Sequence, residues 1–161
     1  VTTNDHSGDE ELVALKAGLS ELGWTPQRLS NRMISLGDSR SPATIMRSIN
    51  RAFEGDTRVS GELGAFVRLQ VRHLRLLRQV YENLAWKKFD TGEEARFGDY
   101  RLIVDRRKDK WAVSVTYLDL RSEQWPKHLD TIELAKDFAL IMLDDCVDFV
   151  ARFNRRSGFV S

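Results

Sequence analysis

Cysteine, proline and long apolar runs are scarce in this chain, and lysine is missing from the stretch where arginine is densest. The single cysteine, Cys146, excludes an internal disulfide. It stands among apolar residues, and a small core residue is the expectation for it. No run approaches the roughly 18 apolar residues of a membrane span, so no transmembrane helix is expected. The first eleven residues are polar and acidic and lack the basic-then-apolar order of a secretory signal. A cytoplasmic protein is therefore expected. His6, His73 and His128 lie far apart, without metal-ligand spacing. There is no nucleophile elbow, phosphate loop or dinucleotide glycine motif. Asp137, Asp144 and Asp148 fall on one helical face, but no second helix converges on them, and a solvated face is the ordinary reading. The chain is expected to be no enzyme and to need neither cofactor nor metal.

What is present is an uneven charge. The net charge of +1 hides three regions. Residues 1–23 hold one Lys against five Asp/Glu, net −4. Residues 24–80 hold ten Arg, no Lys and four Asp/Glu, net +6. Residues 81–161 hold 14 Lys/Arg against 15 Asp/Glu, net −1. A basic middle third points to nucleic acid or another polyanion. Arginine without lysine sharpens the point, because the planar guanidinium suits phosphate and base edges. The plainer reading is a set of solvated arginines on short helices.

Hydrophobic spacing predicts an α+β chain of four helices, a β-hairpin and a last long helix. A tail over residues 1–8 precedes a first helix from Asp9 to Leu22, with Leu12, Leu15, Leu19 and Leu22 inward. Thr25-Pro26 and Ser41-Pro42 each set a capping hydroxyl before a proline in the first helical position. The helices they start run to about Met33, with Leu29 and Met33 inward, and to about Phe53, with Ile45, Ile49 and, at its end, Phe53 inward. Ser60 caps a longer helix from Gly61 to about Lys87. Arg68, Arg72, Arg75 and Arg78 line one of its sides. After Trp86 the period changes. Tyr100–Val104 and Trp111–Tyr117 alternate as a hairpin with one apolar face, with room for a third strand near Ala95-Arg96-Phe97. Arg121–His128 reads as a loop. Asp130 and Glu133 form a capping pair for a helix running to about Phe153. Its inner stripe includes Met142, Cys146, Phe149 and Phe153. The expected domains are 9–88, helical, and 95–156, strand–strand–helix, with the boundary near Trp86–Gly98.

Two capped helices in succession suit a helix-turn-helix, in which one helix braces on phosphates and the next reads bases. With Ile45 and Ile49 inward, Ala43, Thr44, Arg47, Ser48 and Arg51 fall on or beside the outer face. Arg28, Arg32 and Arg40 lie on the preceding helix and connection. The segments Trp24-Thr-Pro-Gln-Arg-Leu-Ser30, Ser41-Pro-Ala-Thr-Ile-Met-Arg-Ser-Ile49, Glu54-Gly55 and Val59-Ser-Gly-Glu-Leu63 resemble the Xre/lambda-repressor-like helix-turn-helix family. The resemblance covers about 55 of the 161 residues. It implies base reading by Ser41, Ala43, Thr44 and Arg47, with phosphate contacts from Arg28, Arg32, Arg40 and Arg51. The Met33–Ser41 connection is longer than the family's tight turn. For the second half, a scaffold or dimerisation module is the plain reading. The sharper one is a loose resemblance of Tyr100–Leu143 to sheet-plus-helix DNA readers of the AP2/integrase-arm type, which implies contacts from Arg101, Arg106, Arg107, Lys108 and Lys110.

The expected function is therefore sequence-specific binding of double-stranded DNA in transcription regulation. The chain would act as a homodimer through its C-terminal domain, without a membrane partner. The alternative is an adaptor whose arginine-rich helices dock an acidic protein.

Overall fold

Glycine placement sets the ends of the early helices. α1 spans His6–Leu22, α2 Pro26–Ser35 and α3 Pro42–Phe53. At the end of α2, Gly37 takes a positive φ of 102°. Its N–H donates to the Ile34 carbonyl at 3.0 Å, and the Asp38 N–H donates back to Met33 at 3.0 Å. This pair of bonds satisfies carbonyls that a helix otherwise leaves open, and glycine adopts the backbone at least strain. Gly55, with φ 79°, closes α3 in the same way, through its own N–H to Ala52 and that of Asp56 to Arg51. At the other ends, Thr25 and Ser41 accept from the N–H of Arg28 and Thr44, both at 3.2 Å. The two Thr/Ser-Pro helix starts are thus capped as their sequence dictates.

A computed structural model describes residues 6–126 and 129–157, with side chains over 8–126 and 129–152. The fold is mixed α+β. α4 spans Gly61–Val80, and five strands follow: β1 Lys87–Phe89, β2 Gly92–Phe97, β3 Tyr100–Arg107, β4 Lys110–Tyr117 and β5 Leu120–Gln124. They form one antiparallel sheet in sequence order. α5, Ile132–Ser157, follows the sheet. No helix among the described residues is long and apolar enough to cross a membrane. The chain divides into two compact units, Val1–His73 and Leu74–Ser161. The division falls inside α4, whereas the change of sequence pattern comes later, near Trp86.

In the first unit the core gathers Leu15, Leu19, Leu22, Trp24, Leu29, Met33, Ile45, Ile49, Leu63 and Val67, all buried. Ala52, not Phe53, completes the inner stripe of α3, and Phe53 lies half-buried under the Lys16 ammonium. α1 begins at His6, three residues before the expected start, so part of the expected tail is helical; residues 1–5 lie outside the described residues.

In the second unit, α5 lies over β3 and β4. Leu102, Val104, Val113 and Val115 form the sheet side of this core. Every residue of α5 from Phe138 to Leu143 is buried. Beside this stretch, Arg78 in the last turn of α4 reaches Asp137 at 2.6 Å. Lys136 meets the buried Glu93 of β2 at 2.5 Å, so a charge inside the helix–sheet layer is paired.

Further expectations need correction. The hairpin is part of a five-stranded sheet, and Arg121–Gln124, expected as loop, belongs to β5. β5 has no apolar alternation because it is an exposed edge, and β1 is a three-residue edge strand carrying two lysines. α4 ends at Val80, seven residues before the expected limit, because the chain turns at Tyr81–Asn83 to enter β1. The cap of α5 is Thr131, whose hydroxyl accepts from the Leu134 N–H at 3.2 Å, rather than Asp130. Finally, Cys146 is half-buried and Phe149 is 64% exposed, so the inner stripe of α5 stops near Leu143. His128 lies outside the described residues, as does the side chain of Phe153.

Candidate nucleic-acid interface

The α2–α3 corner is built from local bonds. α2 runs to Ser35, leaving Leu36–Ser41 as the connection. After the Gly37 turn, the Asp38 carboxylate accepts from the Arg40 backbone N–H at 3.0 Å. The same carboxylate holds the Arg40 guanidinium, with Nη2 at 2.6 Å. Glu62 at the start of α4 adds a second carboxylate 3.7 Å from Arg40. Hydrogen bonds from the Arg40 side chain and backbone hold the Asp38 carboxyl down at about 2. Ser41 then caps α3, and its hydroxyl also bonds that of Thr44 at 2.8 Å. The longer connection is therefore a sequence of helix stop, side-chain-stabilised turn and helix start.

The sequence-expected contacts separate into three groups. Arg40 is exposed but already neutralised by Asp38 and Glu62. Arg28 and Arg32 are half-buried with their Nε atoms inside the protein, and the Arg28 guanidinium lies 6.0 Å from the Trp24 ring centre. They brace the helix more than they project from it. Ser41, Ala43, Thr44, Arg47, Ser48 and Arg51 are all exposed. Of these, Ser41 and Thr44 use their hydroxyls in the cap. Arg47 and Arg51, one helical turn apart, have no ion-pair partner among the described residues. α3 itself contains no carboxylate. Its outer face thus joins a small residue, Ala43, to two arginines.

Sequence reasoning missed two features. Asn50 is exposed on the same helix and carries both donor and acceptor groups that suit a base edge. Its position one residue after Ile49 was legible from the helical period. Asp38 as the partner of Arg40 was not, because the pairing needs the chain reversal at Gly37.

No family model, curated protein or solved structure matches the chain. The candidate interface therefore rests on the chemistry of its own residues.

The cations of the sheet are arranged differently. Arg101 on β3 pairs with Glu94 on β2 at 2.5 Å, and this bond keeps the Glu94 carboxyl below its ordinary value. Arg107 meets Asp105 at 2.9 Å and Glu123 at 3.9 Å, and Arg121 bonds Glu123 as well. Burial works against ionisation of Asp105, yet hydrogen bonds from Thr91 and Arg107 hold its carboxyl below the usual range. The Arg107 guanidinium also sits 5.2 Å from the centre of Trp125. Arg106 lies over Trp111 at 5.5 Å, while Lys108 and Lys110 are exposed at the β3–β4 turn. Two of the five residues implied by the AP2-type resemblance are thus committed to carboxylates within the sheet.

Among the described residues no group of three or more His, Cys, Asp or Glu is placed to hold a metal. Asp137 and Asp148 of the acidic row are each paired with an arginine, Arg78 and Arg152.

Proposed function

We propose that the first unit binds double-stranded DNA through the outer face of α3, and that the chain is a sequence-specific transcription regulator acting in the cytoplasm as a homodimer. The observation that carries this reading is the pair Arg47 and Arg51. Both are exposed on a capped helix without a carboxylate, beside the small Ala43. Such a face admits close approach to a major groove, where a guanidinium reads guanine or clasps phosphate. Arg28 in the first turn and Arg32 in the last turn of the bracing helix, both held by packing, place their charge at fixed positions along it. Dimerisation through the second unit would set two α3 helices on successive groove turns.

The decisive experiment is affinity for a randomised duplex pool, followed by the selected sequence, across a salt series. Counterion release makes affinity fall steeply with salt. Arg47→Ala or Arg51→Ala weakens binding to the selected sequence. Unchanged affinity of both variants for every sequence would overturn the site.

One observation favours a second reading, an adaptor for an acidic protein. Leu69 is 61% exposed on α4 between Arg68 and Arg72, and an apolar side chain there has no base or phosphate to bond. An acidic protein partner that co-purifies with the chain, together with the absence of bound nucleic acid, would select this reading.

A further inference from the structure

The second unit contains a cavity that the DNA reading does not use. α5 covers β3 and β4. On β5, Leu120, Ser122 and Gln124 pair with Tyr117, Val115 and Val113, so they share the face that α5 covers on β4. The short Ser122 stands beside Val115 where a large side chain would close the layer. The result is a cavity of about 330 Å³ between the outer edge of the sheet and the later turns of α5. Packed interiors hold few voids larger than a water molecule, and small-molecule sites start at roughly this size. Val115 and Met142 form a buried floor. Leu120 and Phe149 stand at the mouth, 66% and 64% exposed, and gain from being covered.

The charge at its wall decides the class of occupant. Arg121 and Asp145 are the charged lining residues, and their opposite signs cancel. Ser122 and Gln124 add neutral polar groups. A wall without net charge gives a charged ligand nothing to offset the loss of its water. We propose that this cavity binds a neutral, mainly apolar small molecule. It would have roughly ten non-hydrogen atoms, the number that about eleven water-sized volumes accommodate, and one hydrogen-bonding group placed for Ser122 or Gln124.

Cys146 lines the cavity and is the only cysteine in the chain, so its reaction with an aromatic disulfide reports occupancy directly. Burial, with the Asp145 charge adding to it, pushes the thiol above its ordinary value, so all rates are compared at one pH. The probes are octan-1-ol, octanoate and octylammonium, which share a tail and differ in charge. The expected result is a saturable slowing by octan-1-ol, about tenfold at ten times its dissociation constant. Both ions slow the reaction less than about twofold at the same concentration. Ser122→Leu, which fills the cavity from β5, removes the effect of octan-1-ol. The comparison of the three probes needs only the unaltered chain, so misfolding of the variant leaves the proposal testable. No protection by octan-1-ol, or equal protection by all three probes, would overturn it. So would protection without any probe that grows with protein concentration, since that assigns the cavity to a second copy of the chain.

Discussion

Arginines on α3 and arginines on the sheet meet different fates, although both sets are exposed and both are embedded in mixed sequence. On the sheet, Arg101 of β3 reaches diagonally to Glu94 of β2, Arg107 meets Asp105 of its own strand and Glu123, and Arg121 bonds Glu123 two residues along β5. A carboxylate thus lies within reach of each of these guanidinium groups, diagonally across strands or along one strand, and the charges cancel within the sheet. On α3 the neighbours of Arg47 along the helix face are Ala43 and Arg51, and the helix has no carboxylate of its own. A local count of basic residues therefore says little about the charge available to a partner. The geometry of the element holding them decides it.

The largest expected effect tests the packing beneath the α3 face. Ile49 is fully buried, and Ile49→Ala should lower unfolding free energy by about 2–5 kcal/mol, measured by denaturant titration. A loss under about 0.5 kcal/mol would show that α3 is not held as described.

Next come the charges themselves. Arg47→Ala and Arg51→Ala should each weaken binding to a selected duplex by about 1–3 kcal/mol. Arg101→Ala and Arg107→Ala should leave that affinity within experimental error. Equal losses from both pairs in the same binding titrations would erase the contrast between helix and sheet.

Ser41 separates folding from recognition. Ser41→Ala should destabilise the first unit by about 1 kcal/mol, and Ser41→Asp should restore most of this, because either side chain caps the helix. Full restoration of stability with a persistent loss of DNA affinity would return Ser41 to the set of base-reading residues.

The smallest effect concerns pH. Asp38 is held at about 2 in the folded chain, below its ordinary 3.8. A depressed carboxyl stabilises the fold above its unfolded value, and that contribution fades as pH falls from about 4 towards 2. Melting curves through this interval should show the wild type losing stability faster than Asp38→Asn. Parallel curves would mean that the Asp38–Arg40 turn contributes nothing to folding.

The sequence exposes some of these features and conceals others for physical reasons. α3 was legible to both its ends, because Ser41-Pro42 and Glu54-Gly55 act through bonds within a few residues. The apolar strands β3 and β4 were legible because one face packs and the other does not. β1 and β5 were hidden, since an edge strand needs no apolar alternation and lysine there discourages further pairing. The end of α4 was hidden because Tyr81 continues the apolar stripe after the helix has stopped, packing edge-on against Phe97 at 5.0 Å. The state of Arg40 depended on the fold of the connection, whereas the exposure of Arg47 followed from its spacing to Ile45 and Ile49.

The division of labour along α3 has a consequence for how this surface could change over time. Ile45, Ile49 and Ala52 hold the helix in the core, while Ser41 and Gly55 fix its two ends. Ala43, Arg47, Asn50 and Arg51 take part in none of these tasks. Substitution at those four positions can alter what the helix meets without altering how it folds. The same scaffold could therefore be retargeted, by selection or by design, one outward residue at a time.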